Sequence, residues 1–121
     1  MPVVLIARFA GDVDELTRAY DRAHEMIMAQ PGPAIGELRH HCAVGEDALY
    51  LIGVWESEER IRTRFASPAF EDLLESAGFP ALKSADLEIL QLHATALSHW
   101  ELYIVVSIRL IHWSTSNSAN F

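Results

Sequence analysis

Apolar residues recur along this chain in two rhythms: short continuous or alternating runs, and longer stretches with a spacing of three to four residues. The first run, Val3 to Phe9, is mostly apolar and predicts a buried strand, closed by Gly11. Asp12 then offers a helix cap, with Glu15 three residues on to complete a capping-box-like pair. Beyond it Val13, Leu16, Tyr20, Ala23 and Ile27 line one helical face, while Asp14, Arg18, Asp21, Arg22 and Glu25 fall largely elsewhere. Pro31-Gly32-Pro33 stops that helix.

A second strand is expected from Ile35 to Val44. The tight turn Gly45-Glu46-Asp47 and a third strand from Ala48 to Trp55 complete a hairpin. Ser57 caps the next helix, and Ser67-Pro68 interrupts and restarts it with a hydroxyl cap and a proline at the first helical position. Gly78 ends the helical stretch and Phe79-Pro80 turns the chain. Asp86 to Leu97 then predicts a fourth strand, with Leu87, Ile89, Gln91 and His93 on one face. The order βαββαβ is the ferredoxin-like split βαβ arrangement of an α+β domain, an antiparallel four-stranded sheet with its helices on one face. The third strand carries Leu49, Leu51 and Gly53 on one side and Tyr50, Ile52 and Val54 on the other, so both sheet faces are apolar. Helices cover only one of them, and a two-fold partner over the other makes a homodimer the expectation.

Composition agrees with a single globular domain of 121 residues, half of them hydrophobic and 21% charged. Seventeen acids against nine Lys and Arg give a net charge of -8, which opposes a phosphate-backbone partner and argues against nucleic acid. The single cysteine, Cys42, excludes an internal disulfide framework, and MPVVLIARFAG lacks the basic and long apolar regions of a signal peptide. A cytoplasmic protein is the expectation. Composition shifts after Leu97: SHWELYIVVSIRLIHWSTSNSANF holds one acid and one arginine and ends in serine and asparagine. Residues 1–97 therefore form the domain and 98–121 an extension, an added strand or dimer-contact segment. Its apolar part, Leu102 to Trp113, is too short to span a bilayer and is interrupted by Ser107 and Arg109, so no membrane partner is expected.

The run VWESEERIRTRFASPAF after a hairpin, preceded by PVVLIARF and followed by a terminal strand, resembles the dimeric α+β barrel superfamily. The likeness is to its antibiotic-biosynthesis-monooxygenase-like (ABM) domains. It covers roughly residues 2–97, and Trp55-Glu56-Ser57 with Ser67-Pro68-Ala69-Phe70 are its most specific portion. The resemblance implies a small dimer with a cavity between sheet and helices in each subunit. Some members oxidise polycyclic phenols or quinols without a cofactor, and some degrade haem. Many quinol-type members carry a histidine nine residues after the strand-ending tryptophan, where this chain has Arg64. Positions that serve haem degradation correspond to Ala7, Arg64 and Leu73 or Leu74. Alanine cannot hydrogen-bond a bound oxygen and leucine cannot ligate iron, so haem is not expected.

The remaining polar residues define the candidate site. His24 lies four residues after Tyr20 on one helix, so both face one region, and a histidine there could act as the base that starts phenol or quinol oxidation. His40 and His41 are adjacent in a strand, point to opposite faces and cannot chelate one metal together. Cys42 shares the side of His40; a buried structural thiol outweighs a Cys-His nucleophile there. Arg64 has two readings: a fixed cation for a phenolate or enolate inside a cavity, or a member of a charged surface stripe with Arg60, Glu56 and Glu71. The surface or rim reading carries more weight. His24 and Arg64 are thus the candidate catalytic residues, and Tyr20, His40, Trp55 and Phe65 the candidate substrate contacts. No metal or cofactor is implied, and no phosphate loop or nucleophile elbow appears. The expected function is a small-molecule-binding dimer acting on an aromatic ligand as a cofactor-independent monooxygenase. The alternative is a non-catalytic binding or structural homodimer.

Overall fold

The computed structural model describes residues 1–31 and 36–96. Its elements are β1 (Val3–Ala10), α1 (Val13–Met28), β2 (Glu37–Val44), β3 (Ala48–Trp55), α2 (Glu58–Phe65), α3 (Pro68–Ser76), a 3-10 turn at Leu82–Ser84 and β4 (Asp86–Gln91). The strands form one antiparallel sheet in the order β2-β3-β1-β4, the predicted ferredoxin-like topology.

Each boundary has a local cause. Asp12 caps α1 by accepting from the backbone N–H groups of Asp14 and Glu15 at 2.9 and 3.1 Å. Ser57 accepts from Arg60 N–H at 3.2 Å and Ser67 from Phe70 N–H at 3.3 Å, and Pro68 opens α3 without wasting a donor. Two helices therefore stand where an uninterrupted one would have run straight past the sheet.

Two predicted strand limits change. The second strand begins at Glu37, not Ile35, which lies outside the described residues. Gly36 precedes the strand at φ +100°, a conformation that favours glycine, and its carbonyl accepts from Glu56 N–H at 2.8 Å. The fourth strand ends at Gln91 and not Leu97, so His93 is off the sheet. Its partner β1 starts at Val3, and the ladder closes where Leu92 N–H donates to Pro2 C=O at 3.0 Å; Pro2 has no N–H to return. The predicted 98–121 extension lies outside the described residues.

Alternation along β1 and β3 divides the sheet faces. Ala7, Phe9 and Leu49 turn to the helices and form the main core with Leu16, Ala19, Ala23, Leu73, Leu74, Ala77 and Phe79. Phe9 and Phe79 meet edge to face at 4.9 Å. A second, smaller cluster joins Leu5, Trp55 and Ile61. Among the described residues no helix is long and apolar enough to cross a membrane.

Candidate functional site

Between these two clusters the sheet and helices do not close. A partly open cavity of about 210 Å³ remains, walled by Leu5 and Trp55 on one side and by Ala7, Ala23, Leu74 and Phe79 on the other. Its wall is largely apolar, and its polar side chains are Tyr20, His24, Glu37, His40, Trp55 and Arg64. Phe65 also lines it, so the six residues singled out from the sequence all meet at one cavity.

Tyr20 and His24 stand one turn apart on α1, and their rings stack at 5.7 Å with 16° between planes. The strand β2 approaches Tyr20 from the sheet. His40 Nε2 lies 2.8 Å from the Tyr20 hydroxyl, and His40 Nδ1 lies 3.0 Å from Glu37 Oε2. In a regular strand residues three apart point to opposite faces, so Glu37 and His40 could not meet. A β-bulge between Glu37 and Arg39 alters the register: Glu37 pairs with Trp55, Arg39 with Val54 and His40 with Gly53. The extra residue, Leu38, returns Glu37 to the helix side beside His40.

Gly53 provides the space for this arrangement. A Cβ at that position would stand 2.5 Å from Glu37 Oε2 and 2.8 Å from Trp55 Nε1, closer than van der Waals contact allows. Trp55 is 4% exposed and its indole N–H has no hydrogen-bond partner among the described residues.

Burial shifts three groups. The Tyr20 phenol is pushed up to about 12 by desolvation first, then by the negative charge of Cys42, Glu37 and Asp21. The Cys42 thiol is also raised by burial, the opposite of what a nucleophile needs, and it packs against the main core. Arg64 is lowered by desolvation, with Glu37 opposing the change.

That half-buried arginine lines the cavity and stands apart from the charged pairs on the helix surface. Arg60 does pair with Glu56, at 3.5 Å, and Arg62 with Glu58. Arg64 instead turns inward, its guanidinium carbon 3.8 Å from the centroid of the Phe70 ring. The break at Ser67-Pro68 is what brings Phe70 under it.

Glu37 is the site residue that periodicity missed, because a bulge leaves no mark in an apolar pattern; the trace was a carboxylate three positions before His40. Ala7 and Leu74 form apolar wall of the cavity. Among the described residues no cluster of three His, Cys, Asp or Glu is placed to hold a metal ion.

Solved structures share this architecture. SnoaB, a cofactor-independent oxygenase from Streptomyces nogalater, superposes with a TM-score of 0.56 at 20% identity, over 80% of this chain and 98% of that one. The chain has the ABM-like fold. The ActVA-Orf6 monooxygenase of Streptomyces coelicolor, solved with nanaomycin D, gives 0.56 at 23% identity over 79% of this chain and 91% of that one. Rv0793 from Mycobacterium tuberculosis gives 0.57 at 18% identity over 80% and 100%. At these identities the ABM-like likeness is one of fold. Neither family models nor curated proteins yield a match.

Proposed function

We propose that the cavity binds a small fused-ring phenol or quinol and that the protein oxidises it with dioxygen, using no cofactor. The supporting observation is an apolar cavity with an aromatic wall and its polar groups gathered at Tyr20, His24, Glu37, His40 and Arg64. His24 and His40 supply imidazole bases, and Arg64 supplies a fixed cation for the oxyanion that deprotonation leaves. Tyr20, Trp55 and Phe65 hold the ring system by stacking and apolar contact. In such a reaction the substrate itself supplies the electrons: one oxygen atom becomes a new carbonyl and the other leaves as water. The oxygenase activity of SnoaB and the monooxygenase activity of ActVA-Orf6, on the same fold, agree with this reading.

The protein works, in this proposal, as a cytoplasmic homodimer joined through the sheet face that the helices leave uncovered. The test is oxygen uptake with a panel of hydroxynaphthoquinones, anthrones and polycyclic phenols, repeated with His24→Ala and Arg64→Ala. Uptake that falls in both variants supports the assignment. Binding without uptake identifies a non-catalytic ligand carrier, and uptake unchanged in both variants removes these residues from the reaction.

A further inference from the structure

Glu37, His40 and Tyr20 form a continuous hydrogen-bonded line from solvent to the cavity. We propose that they are a proton relay, which takes the hydroxyl proton of a bound phenol out through Tyr20 to His40, with Glu37 holding the imidazole. The inference deepens the phenol reading and rests on it.

Connectivity fixes each role. With Glu37 as a carboxylate, its Oε2, 3.0 Å from Nδ1, can only accept, so in the relay the neutral ring donates Nδ1–H to it and leaves Nε2 bare. The bare Nε2, 2.8 Å from the Tyr20 oxygen, then accepts the phenolic O–H. The Tyr20 oxygen keeps a lone pair for a ligand hydroxyl in the cavity that it lines. When the ligand ionises, its O–H bond breaks as a new O–H forms on Tyr20, while the original Tyr20 proton moves to Nε2. The products are a ligand oxyanion, a neutral tyrosine and an imidazolium paired with Glu37. No electrons are exchanged, and no other reactant is required.

The surroundings suit conduction through Tyr20 better than storage on it. Burial keeps the phenol protonated to about 12, so it passes a proton without resting as a phenolate. His40 and Glu37 side chains are 32% and 20% exposed, so the imidazolium can release its proton to water. The groups facing the line are His24 and Asp21 on α1, Cys42 on β2 and Arg64 on α2. Arg64 is the cation among them positioned at the cavity, and the anion is left on that side. Glu37 is a positioning residue, since it reaches the ligand only through His40.

Two measurements on the full chain test the relay. Nitrogen-15 resonances of the neutral His40 ring, assigned with His40→Gln, are expected to show the proton on Nδ1. Glu37→Leu is expected to move it to Nε2, whereas Glu37→Gln, which keeps an acceptor oxygen, preserves the Nδ1–H form. A proton on Nε2 in the unaltered protein overturns the relay. The second probe is juglone, whose visible absorption reports ionisation of its phenol. Bound juglone is expected to be more ionised than juglone in buffer at the same pH. Tyr20→Phe and His40→Gln are expected to cut the ionised-to-neutral ratio roughly tenfold while binding persists, with His41→Gln on the opposite sheet face as the control. Equal ionisation in all of them overturns the proposal. Failure of juglone to bind counts against the phenol reading alone, and the ring tautomer then decides the relay.

Discussion

Arg64 sits over Phe70, with 3.8 Å between the guanidinium carbon and the ring centroid. Both side chains line the cavity. Because the cation is half-buried and partly desolvated, its interaction with an anion there is less screened than it would be at a surface. Arg64→Gln is expected to weaken binding of ionised juglone by roughly tenfold, while costing only about 0.5–1 kcal/mol of stability from the lost ring contact. Arg64→Lys should recover part of the affinity, since it restores charge without the flat stacking surface. Isothermal titration at a pH where juglone is ionised measures this. Equal affinities for the unaltered protein and Arg64→Gln would show that the cation does not meet the ligand.

The sequence pattern carried the fold and six of the residues that line the cavity for physical reasons. Caps at Asp12, Ser57 and Ser67 are local hydrogen-bonding devices, so their residue types are visible in the chain, and alternation along β3 shows which side chains share a face. Tyr20 and His24 were legible together because helical spacing puts them on one face. What stayed hidden depends on tertiary placement. Leu38 is the extra residue of a bulge, and without it Glu37 would point away from His40. For Arg64 two readings stayed open, because its one-turn spacing from Arg60 also suggested a shared charged stripe. The ring that holds it inward belongs to the next helix, across a break whose angle no periodicity reveals.

Gly53 gives a prediction whose sign discriminates between two effects. In an ordinary strand interior Gly→Ala stabilises by about 0.5–1 kcal/mol, because alanine loses less backbone entropy on folding. Here the added Cβ would meet Glu37 Oε2 and Trp55 Nε1 at 2.5 and 2.8 Å. One of them must move, and overpacking of this kind costs about 1–3 kcal/mol. Gly53→Ala is therefore expected to lower stability in urea unfolding and to displace Glu37 from His40, shifting the His40 ring proton toward Nε2. A stabilised variant with an unchanged ring tautomer would show that the space beside Gly53 is not needed.

Tyr20 links stability to alkaline pH. Folding pushes its phenol up from the ordinary 10.0 to about 12, so between those values the native state binds more protons than the unfolded one. Stability from this group is fully present below pH 10 and is lost as pH rises toward 12. Tyr20→Phe lowers stability at neutral pH by removing the hydrogen bond to His40, but it also removes this loss, so its stability should fall less steeply above pH 10. Urea midpoints for both proteins across that range decide the matter. Parallel curves would mean that Tyr20 is as well solvated folded as unfolded.

The far face of the sheet tests the dimer. Register places Val4, Ile6, Ile52, Val54 and Leu90 on the side opposite the helices, with Ile6 directly opposite Ile52 at its middle. Polar groups flank it, with Glu88 beside Ile6, His41 beside Ile52 and Arg39 beside Val54, and at one end Arg8 lies 3.6 Å from both Asp47 and Asp86 and donates to the Tyr50 hydroxyl at 3.3 Å. An apolar centre with a charged border is the anatomy of a protein interface, and a stable one buries about 800 Å² per partner. Ile52→Lys would set two like charges against this centre in a two-fold dimer, without touching the core beneath the helices. Sedimentation is expected to show a dimer for the unaltered chain and a monomer for Ile52→Lys, with far-ultraviolet circular dichroism unchanged. The cavity lies on the opposite side of the sheet, so the monomer should still bind juglone. A monomeric unaltered chain would refute the interface, and a dimeric Ile52→Lys would move it to another surface.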